Sequence, residues 1–249
     1  MSEKPSGGTQ LSRRNFLGMS AAALAGIAIA PGVTLYDLAH GKPPGQATSG
    51  RVRWGMLIDT NQCSSGCSDC VTACNTENRL SGGTLATDSQ WIRKLELKNT
   101  RTGKAHSLPM MCQHCENPPC VDVCPTGASF KRADGIVLVD RHTCIGCRYC
   151  IMACPYGVRF FVHEPVTGQN PEVPRGKGCV ESCTFCVQRV DRDLEPACAE
   201  ACTAAGHKAI LFGDLNNPDS EIAKRIATYA SRQVREDLAL NTGVRYQGI

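Results

Sequence analysis

The sequence is poor in aromatic residues, with Phe, Trp and Tyr at 5% of the total, and no apolar run closes it. The first shortage argues against a broad hydrophobic core, and the second leaves no C-terminal membrane anchor. A nucleophile motif, a glycine-rich phosphate loop and a metal-ligand grouping with an open position are also missing, so the chain by itself reads as a non-catalytic subunit. What it has in quantity is cysteine and glycine, 17 and 24 among 249 residues. An odd number of cysteines leaves one over from any fully paired disulfide framework. The length allows one large domain or two small ones.

Most of the cysteines fall in short, repeated spacings. One group is Cys112-Gln-His-Cys115-Glu-Asn-Pro-Pro-Cys120-Val-Asp-Val-Cys124-Pro125, and another is Cys144-Ile-Gly-Cys147-Arg-Tyr-Cys150-Ile-Met-Ala-Cys154-Pro155. The second is the run Cys-x2-Cys-x2-Cys-x3-Cys-Pro, in which three thiolates hold one cubane cluster and the fourth crosses to a neighbour. A less regular group, Cys63-Ser-Ser-Gly-Cys67-Ser-Asp-Cys70-Val-Thr-Ala-Cys74, has a longer first gap and Asn75 in place of proline. The last comprises Cys183-Thr-Phe-Cys186 and, after eleven residues, Cys198-Ala-Glu-Ala-Cys202, followed by Thr203.

Disulfides, zinc and iron–sulfur clusters compete for these thiols. Disulfides do not favour the repeated spacing, and zinc sites built from Cys-x2-Cys units come as pairs of two rather than as groups of four with a following proline. Four [4Fe-4S] clusters are the expected cofactors. A short spacing wraps sulfurs around one cube corner, while the fourth cysteine begins a helix that turns away and reaches only the adjoining cluster. The formal charge of +4 counts every thiol as neutral. Four thiolates around a core of charge 2+ carry about −2, so four clusters bring the loaded chain to about −4, and no nucleic-acid partner is read from the calculated pI.

Residues 1–47 read as an export signal. Ser12-Arg13-Arg14-Asn15-Phe16-Leu17 is a twin-arginine pattern, with an uncharged, alanine-rich stretch from Gly18 to Tyr36 behind it. Cleavage is expected after Ala30 or Ala47; without it, the stretch is near the length of a membrane span and could serve as an anchor. The expected location is the periplasm, peripheral to or N-terminally anchored at the cytoplasmic membrane.

The remainder is expected to be α+β, with two interlocked ferredoxin-like modules of short strands and helices wrapped around four clusters. Residues 51–213 form that four-cluster domain, with an inner module at 108–163, an outer module from 51–80 and 179–213, and an insertion at 81–107. Strands are expected at Arg53–Asp59, in a hairpin beginning at Trp91–Leu97, on either side of the Ala133-Asp134-Gly135 turn, and at Val158–His163. A helix is expected from near Cys70 to Glu77, and a helix and turn across Val187–Pro196. No motif in the insertion carries chemistry, and Glu164–Gly178 reads as a loop with the composition of a docking surface. In 214–249 a helix capped by Asp219 or Ser220 should carry Ile222, Ile226, Ala230, Val234 and Leu238 on one face.

From Arg51 to about Gly213 the cysteine pattern resembles the four-cluster ferredoxin subunits of membrane-bound respiratory oxidoreductases, the group containing polysulfide, tetrathionate and dimethyl sulfoxide reductases. The resemblance implies that outer motifs pair with each other and inner motifs with each other. One cluster would take Cys63, Cys67, Cys70 and Cys202, and its companion Cys183, Cys186, Cys198 and Cys74. A third would take Cys112, Cys115, Cys120 and Cys154, and the fourth Cys144, Cys147, Cys150 and Cys124. The segments His163-Glu-Pro, Pro174 to Cys183, Phe212 to Glu221 and Asn241-Thr-Gly-Val-Arg-Tyr are similar to the DsrO type, the periplasmic subunit of the transmembrane complex linked to dissimilatory sulfite reductase. That similarity implies a quinone-reactive membrane subunit of the polysulfide-reductase type, a periplasmic multihaem cytochrome c and other Dsr subunits as partners. The alternatives are a subunit of a periplasmic molybdenum reductase or hydrogenase and, in another class, a zinc-binding structural protein.

Three residues stand apart. Cys179, four positions before the last group, could replace Cys183 as a ligand but reads better as a small apolar filler or free thiol. His114 lies inside a ligand loop already supplied with cysteines and is expected to pack there. Arg148 could favour the reduced state of its cluster or simply be solvated.

Overall fold

The computed structural model describes residues 48–249 other than Ala86, Asn99 and Lys104; the twin-arginine pattern, the apolar stretch and both cleavage sites fall outside the described residues. A three-stranded sheet joins distant parts of the chain. Its centre is β1 (Trp54–Asp59), whose residues from Gly55 onward are all buried. Its neighbours are two late strands, β8 (Ile210–Asp214), antiparallel, and β9 (Val244–Gln247), parallel.

The remaining strands pair locally. β2 (Ile92–Lys98) and β3 (Ala105–Met111) form an antiparallel hairpin in register from Ile92–Met111 to Lys98–Ala105. Between them and β8 lie two short ladders, β4 (Ser129–Lys131) with β5 (Val137–Val139), and β6 (Phe160–Phe161) with β7 (Val180–Glu181). The strand expected over Val158–His163 is therefore cut to Phe160–Phe161. Val162 still exchanges backbone bonds with Gly178 and Cys179 in the following loop.

Five helices are tied to the cysteine groups. α1 (Asp69–Asn78) contains Cys70 and Cys74, and Arg79 ends it in the left-handed conformation. α2 (Pro119–Asp122) starts with a proline, whose missing N–H costs nothing in a first helical turn. α3 (Tyr149–Ala153), α4 (Val187–Val190) and α5 (Ala197–Ala204) follow the other cysteine loops. Each helix is too short to stand alone, so its stability comes from packing rather than propensity.

The tail departs from its apolar stripe. α6 (Glu221–Thr228) is capped by Ser220, whose Oγ accepts the Ala223 N–H at 3.2 Å, but it ends before Ala230, Val234 and Leu238. Tyr229 turns extended, and Arg232 exchanges backbone hydrogen bonds of 2.7 and 2.8 Å with Tyr246. That exchange, with Tyr246 fully buried, outcompetes further helical turns; Ala230 and Leu238 are left exposed. The tail is thereby a structural part of the sheet. Its residues 240–244 also clamp the loop at Cys112: Glu116 N–H donates to Leu240 O at 3.0 Å, and Gly243 N–H to Gln113 O at 2.9 Å.

The fully buried side chains include Met56, Ile58, Trp91, Met111, Phe185 and Tyr246, and they interleave with cysteines in one cluster. The Glu164–Gly178 loop is fastened to the body by a nearly buried Arg175–Glu181 pair, at 2.7 and 3.0 Å, and by Asn170 donating to Glu77 O.

Candidate iron–sulfur centres

The structure gathers sixteen cysteines into four groups, each combining residues distant in sequence. Cys63, Cys67, Cys70 and Cys202 line one cavity. Cys112, Cys115, Cys120 and Cys154 line a second, and Cys124, Cys144, Cys147 and Cys150 a third. Three cavities with the same four-thiol donor set are what a common guest requires. In the fourth group Cys183 and Cys198 are fully buried, within electrostatic reach of each other, of Cys74 and of Cys186.

The groups also lie near one another in sequence of contact. Cys70 is within electrostatic reach of Cys198, and Cys120 of Cys150. Between the second and fourth groups, His114 and Phe185 stack with ring centroids 3.7 Å apart.

A shared backbone device shapes the loops. The residue immediately before a cysteine adopts positive φ at Gly66 (82°), His114 (42°), Gly146 (72°) and Phe185 (52°). Glycine takes this conformation freely; at Gly146 a side chain would also meet Gly178 O at 2.3 Å. His114 and Phe185 pay a steric cost there, and it is at these two that the stack forms, so each strained loop is held by the other.

Burial dominates the electrostatics of the thiols. It pushes Cys70, Cys115 and Cys120 up to about 12 and raises Cys112, Cys183 and Cys198 as well. Lys94 and Arg159 oppose this at Cys70 and Cys112 respectively. Cys124 goes the other way: desolvation raises it, but hydrogen bonds from Ser129 N–H (3.3 Å) and the Thr126 hydroxyl outweigh that effect and lower it. Iron ligation requires thiolates, so loading these sites releases protons.

Polar donors are already aimed at the sulfurs. Ala209 N–H donates to Cys202 Sγ at 3.3 Å and Asn78 Nδ2 to Cys74 Sγ at 3.6 Å. Donors of this kind offset the added negative charge of a reduced cluster. Among the described residues, Arg159 (Nε, Nη1 and Nη2) and the Tyr156 hydroxyl, which line the second cavity, and the buried His114 Nε2 have no hydrogen-bond partner. The donor sets and these orphaned atoms both fit sulfide-bearing guests.

Several contributors were not legible as site residues. The insertion, expected to carry no chemistry, delivers Lys94, whose Nζ donates to Ser64 O at 2.9 Å and to Cys67 O. His207 and Asp69 line the same cavity. Arg159 stands as a charge inside the apolar run Val158-Arg-Phe-Phe-Val, a signal that sequence alone contains. Of the residues set apart, Cys179 lies beside Cys144 rather than in the Cys183 group and donates to Arg141 O at 3.2 Å. His114 is buried and burial lowers it to about 3, so its ring is neutral, with Nδ1 accepting from Val137 N–H at 3.0 Å. Arg148 lies 4.0 Å over the Phe161 ring.

The family described as a 4Fe-4S dicluster domain matches residues 104–214, and a second family of that description matches 62–128. The chain is 38% identical to the Hdr-like menaquinol oxidoreductase iron-sulfur subunit 1 of Archaeoglobus fulgidus, over 95% of this chain and 97% of that protein. It is 39% identical to a tetrathionate reductase subunit of Salmonella typhimurium, over 77% of this chain and 72% of that protein. It is also 39% identical to a sulfite dehydrogenase subunit of Allochromatium vinosum, over 68% and 71%. Two dicluster domains and seventeen cysteines account for four [4Fe-4S] clusters and set the zinc reading aside. The chain thus belongs to the family of iron–sulfur electron-transfer subunits of membrane-associated oxidoreductase complexes.

Proposed function

We propose that the chain conducts single electrons along four clusters in a row, between a quinone-reactive membrane subunit and periplasmic redox partners. The observation that carries this is the assembly of sixteen cysteines into four groups, each near the next. The ligand sets are Cys63, Cys67, Cys70 and Cys202; Cys74, Cys183, Cys186 and Cys198; Cys112, Cys115, Cys120 and Cys154; and Cys124, Cys144, Cys147 and Cys150. They run in that order. The inner module (108–163) and the outer module (51–80 with 179–213) interlock through the His114–Phe185 stack and the tail. When bound, the clusters supply one-electron transfer, while the chain's own groups exclude water and hold the sulfurs.

The complex is of the sulfite-reductase-linked, DsrO type, with a multihaem cytochrome c and other Dsr subunits, exported to the periplasm by the twin-arginine route. Similarity along nearly the full length to a menaquinol oxidoreductase subunit supports the quinone-handling neighbour. The similarity to the tetrathionate reductase subunit favours a second reading, a subunit of a periplasmic molybdenum reductase. Extraction of the native complex in mild detergent separates the two: a haem-rich complex supports the first, and a molybdopterin subunit replaces it with the second. Iron analysis of anaerobically purified protein should give about sixteen atoms per chain, and eight or fewer overturns the four-cluster row.

A further inference from the structure

Arg159 is 3% exposed, yet none of its three guanidinium nitrogens has a hydrogen-bond partner. Among the described residues it forms no ion pair with a carboxylate. Arginine stays protonated in proteins, and a buried charge without compensation is strongly unfavourable. Something in its surroundings must be negative. It lines the cavity of Cys112, Cys115, Cys120 and Cys154, and its charged neighbours are the thiols of Cys120, Cys112 and Cys150. Cys150 belongs to the next group along. The guanidinium lies alongside its thiol. Arg159 therefore stands between two cluster sites and faces no acid.

We infer that Arg159 is a positioning residue for charge, wedged between the Cys112 and Cys144 cluster sites, which raises the reduction potential of both and most strongly that of the Cys112 site. The reason is electrostatic. Four thiolates around an oxidised core carry about −2 and around a reduced one about −3, so the state with one more electron gains most from a fixed positive charge in a water-poor site. One electron arrives from the adjoining cluster, no bond forms or breaks, and the arginine keeps its proton. Among the described residues the Cys63 and Cys74 groups have no buried cation without a partner: Lys94 beside the first is half-buried and bound to backbone carbonyls, and Arg189 beside the second is paired to Glu77 and Glu200. Removing Arg159 should separate the two halves of the row in potential.

The inference rests on the ligand sets proposed above, and iron content checks those independently. The test is an EPR-monitored redox titration of the full-length, cluster-loaded protein as wild type, Arg159→Gln and Arg159→Lys. In the Gln variant two of four midpoints should fall, the larger drop corresponding to at least a tenfold loss in the reduction equilibrium, about 59 mV for one electron. The other two should stay in place, and Lys should restore most of the shift. Four unmoved midpoints with about sixteen iron atoms retained would overturn the role of Arg159 and leave the four-cluster row intact. Pulsed EPR of wild-type protein carrying 15N-guanidino arginine is a second measurement that needs no Gln variant to fold. A nitrogen coupling on the reduced protein that disappears in Arg159→Lys supports the inference. No coupling, or a pattern of couplings identical in wild type and the Lys variant, defeats it, since Arg189 beside Cys186 can contribute a coupling of its own.

Discussion

The Cys112 and Cys144 groups are built from related motifs, which differ in the gap before the third cysteine, and end in very different surroundings. Around the first, Cys112, Cys115 and Cys120 are buried, Pro118, Tyr156, Val158 and Arg159 close the cavity, and the tail clamps the loop from outside. Around the second, Cys147 is exposed, and Ile145, Tyr149 and Met152 stand 67%, 57% and 81% exposed. A motif specifies ligands and loop conformation. Solvent, charge and rigidity come from segments elsewhere in the chain, and these tune potential and access.

The largest expected effect comes from removing what closes the first site. Tyr246 is fully buried; its hydroxyl donates to Pro109 O at 3.0 Å and accepts from Gln113 Nε2 at 3.2 Å, next to Cys112. Tyr246→Ala should cost about 3–5 kcal/mol, in the range for large aromatic deletions. Anaerobic thermal unfolding should show a much lower transition, with iron lost from the Cys112 site. An unchanged transition would mean that the tail is not part of that site's frame.

Next in size is the contrast between ligand deletions. Cys147→Ser, at the exposed end, should leave a folded protein with about twelve iron atoms and three intact EPR signals. Cys112→Ser, in a fully desolvated position held by the tail, should yield little soluble protein. Equal outcomes for the two would erase the distinction between the sites.

The cysteine motifs were legible in the sequence because most ligands of a cluster lie close in the chain at strict spacing, while the partner of each distant ligand came from the family resemblance. Also legible were the β2–β3 hairpin, the strand β1 and the start of α6 at Ser220, each of which depends on alternation or capping within a few residues. The end of α6 was not legible. Its apolar stripe continues to Leu238, but Tyr246 captures Arg232 from fourteen residues downstream, and nothing near Tyr229 announces that pairing. Lys94 and Arg159 were missed for a related reason: their partners are thiols or carbonyls supplied by other loops. Arg159 was the more readable of the two, since a charge in an apolar run needs a buried counter-charge.

A smaller effect is expected at the joint between the modules. Phe185→Leu keeps the apolar volume roughly, but it loses the stack on His114 and the edge contact with Phe212. Aromatic pairs contribute about 0.5–1.5 kcal/mol beyond burial, so the loss should be of that order for each. The strain at residue 185 remains, because leucine is no better suited than phenylalanine to positive φ. Thermal unfolding should fall by a few degrees with iron content unchanged; loss of two clusters would show that the stack holds ligands and not merely loops.

The subtlest difference between the two inner sites should be kinetic. Oxidants reach a cluster through its solvent-facing edge, and among the described residues the exposed cysteine ligand in the proposed sets is Cys147. During brief exposure of the loaded protein to air, the first EPR change should come from the Cys144 site, before any loss at the Cys112 site. Cys147→Ser supplies the assignment, since the early change should be missing from that variant. If the Cys112 signal decays first instead, oxidants enter through the loop between Pro118 and Tyr156, and tail clamping does not shield it. Because both sites use four thiolates, ligand chemistry cannot produce the order. The order comes instead from the surroundings, exposure at Cys147 and the Arg159 charge beside the Cys112 site, and the order of decay therefore measures their difference.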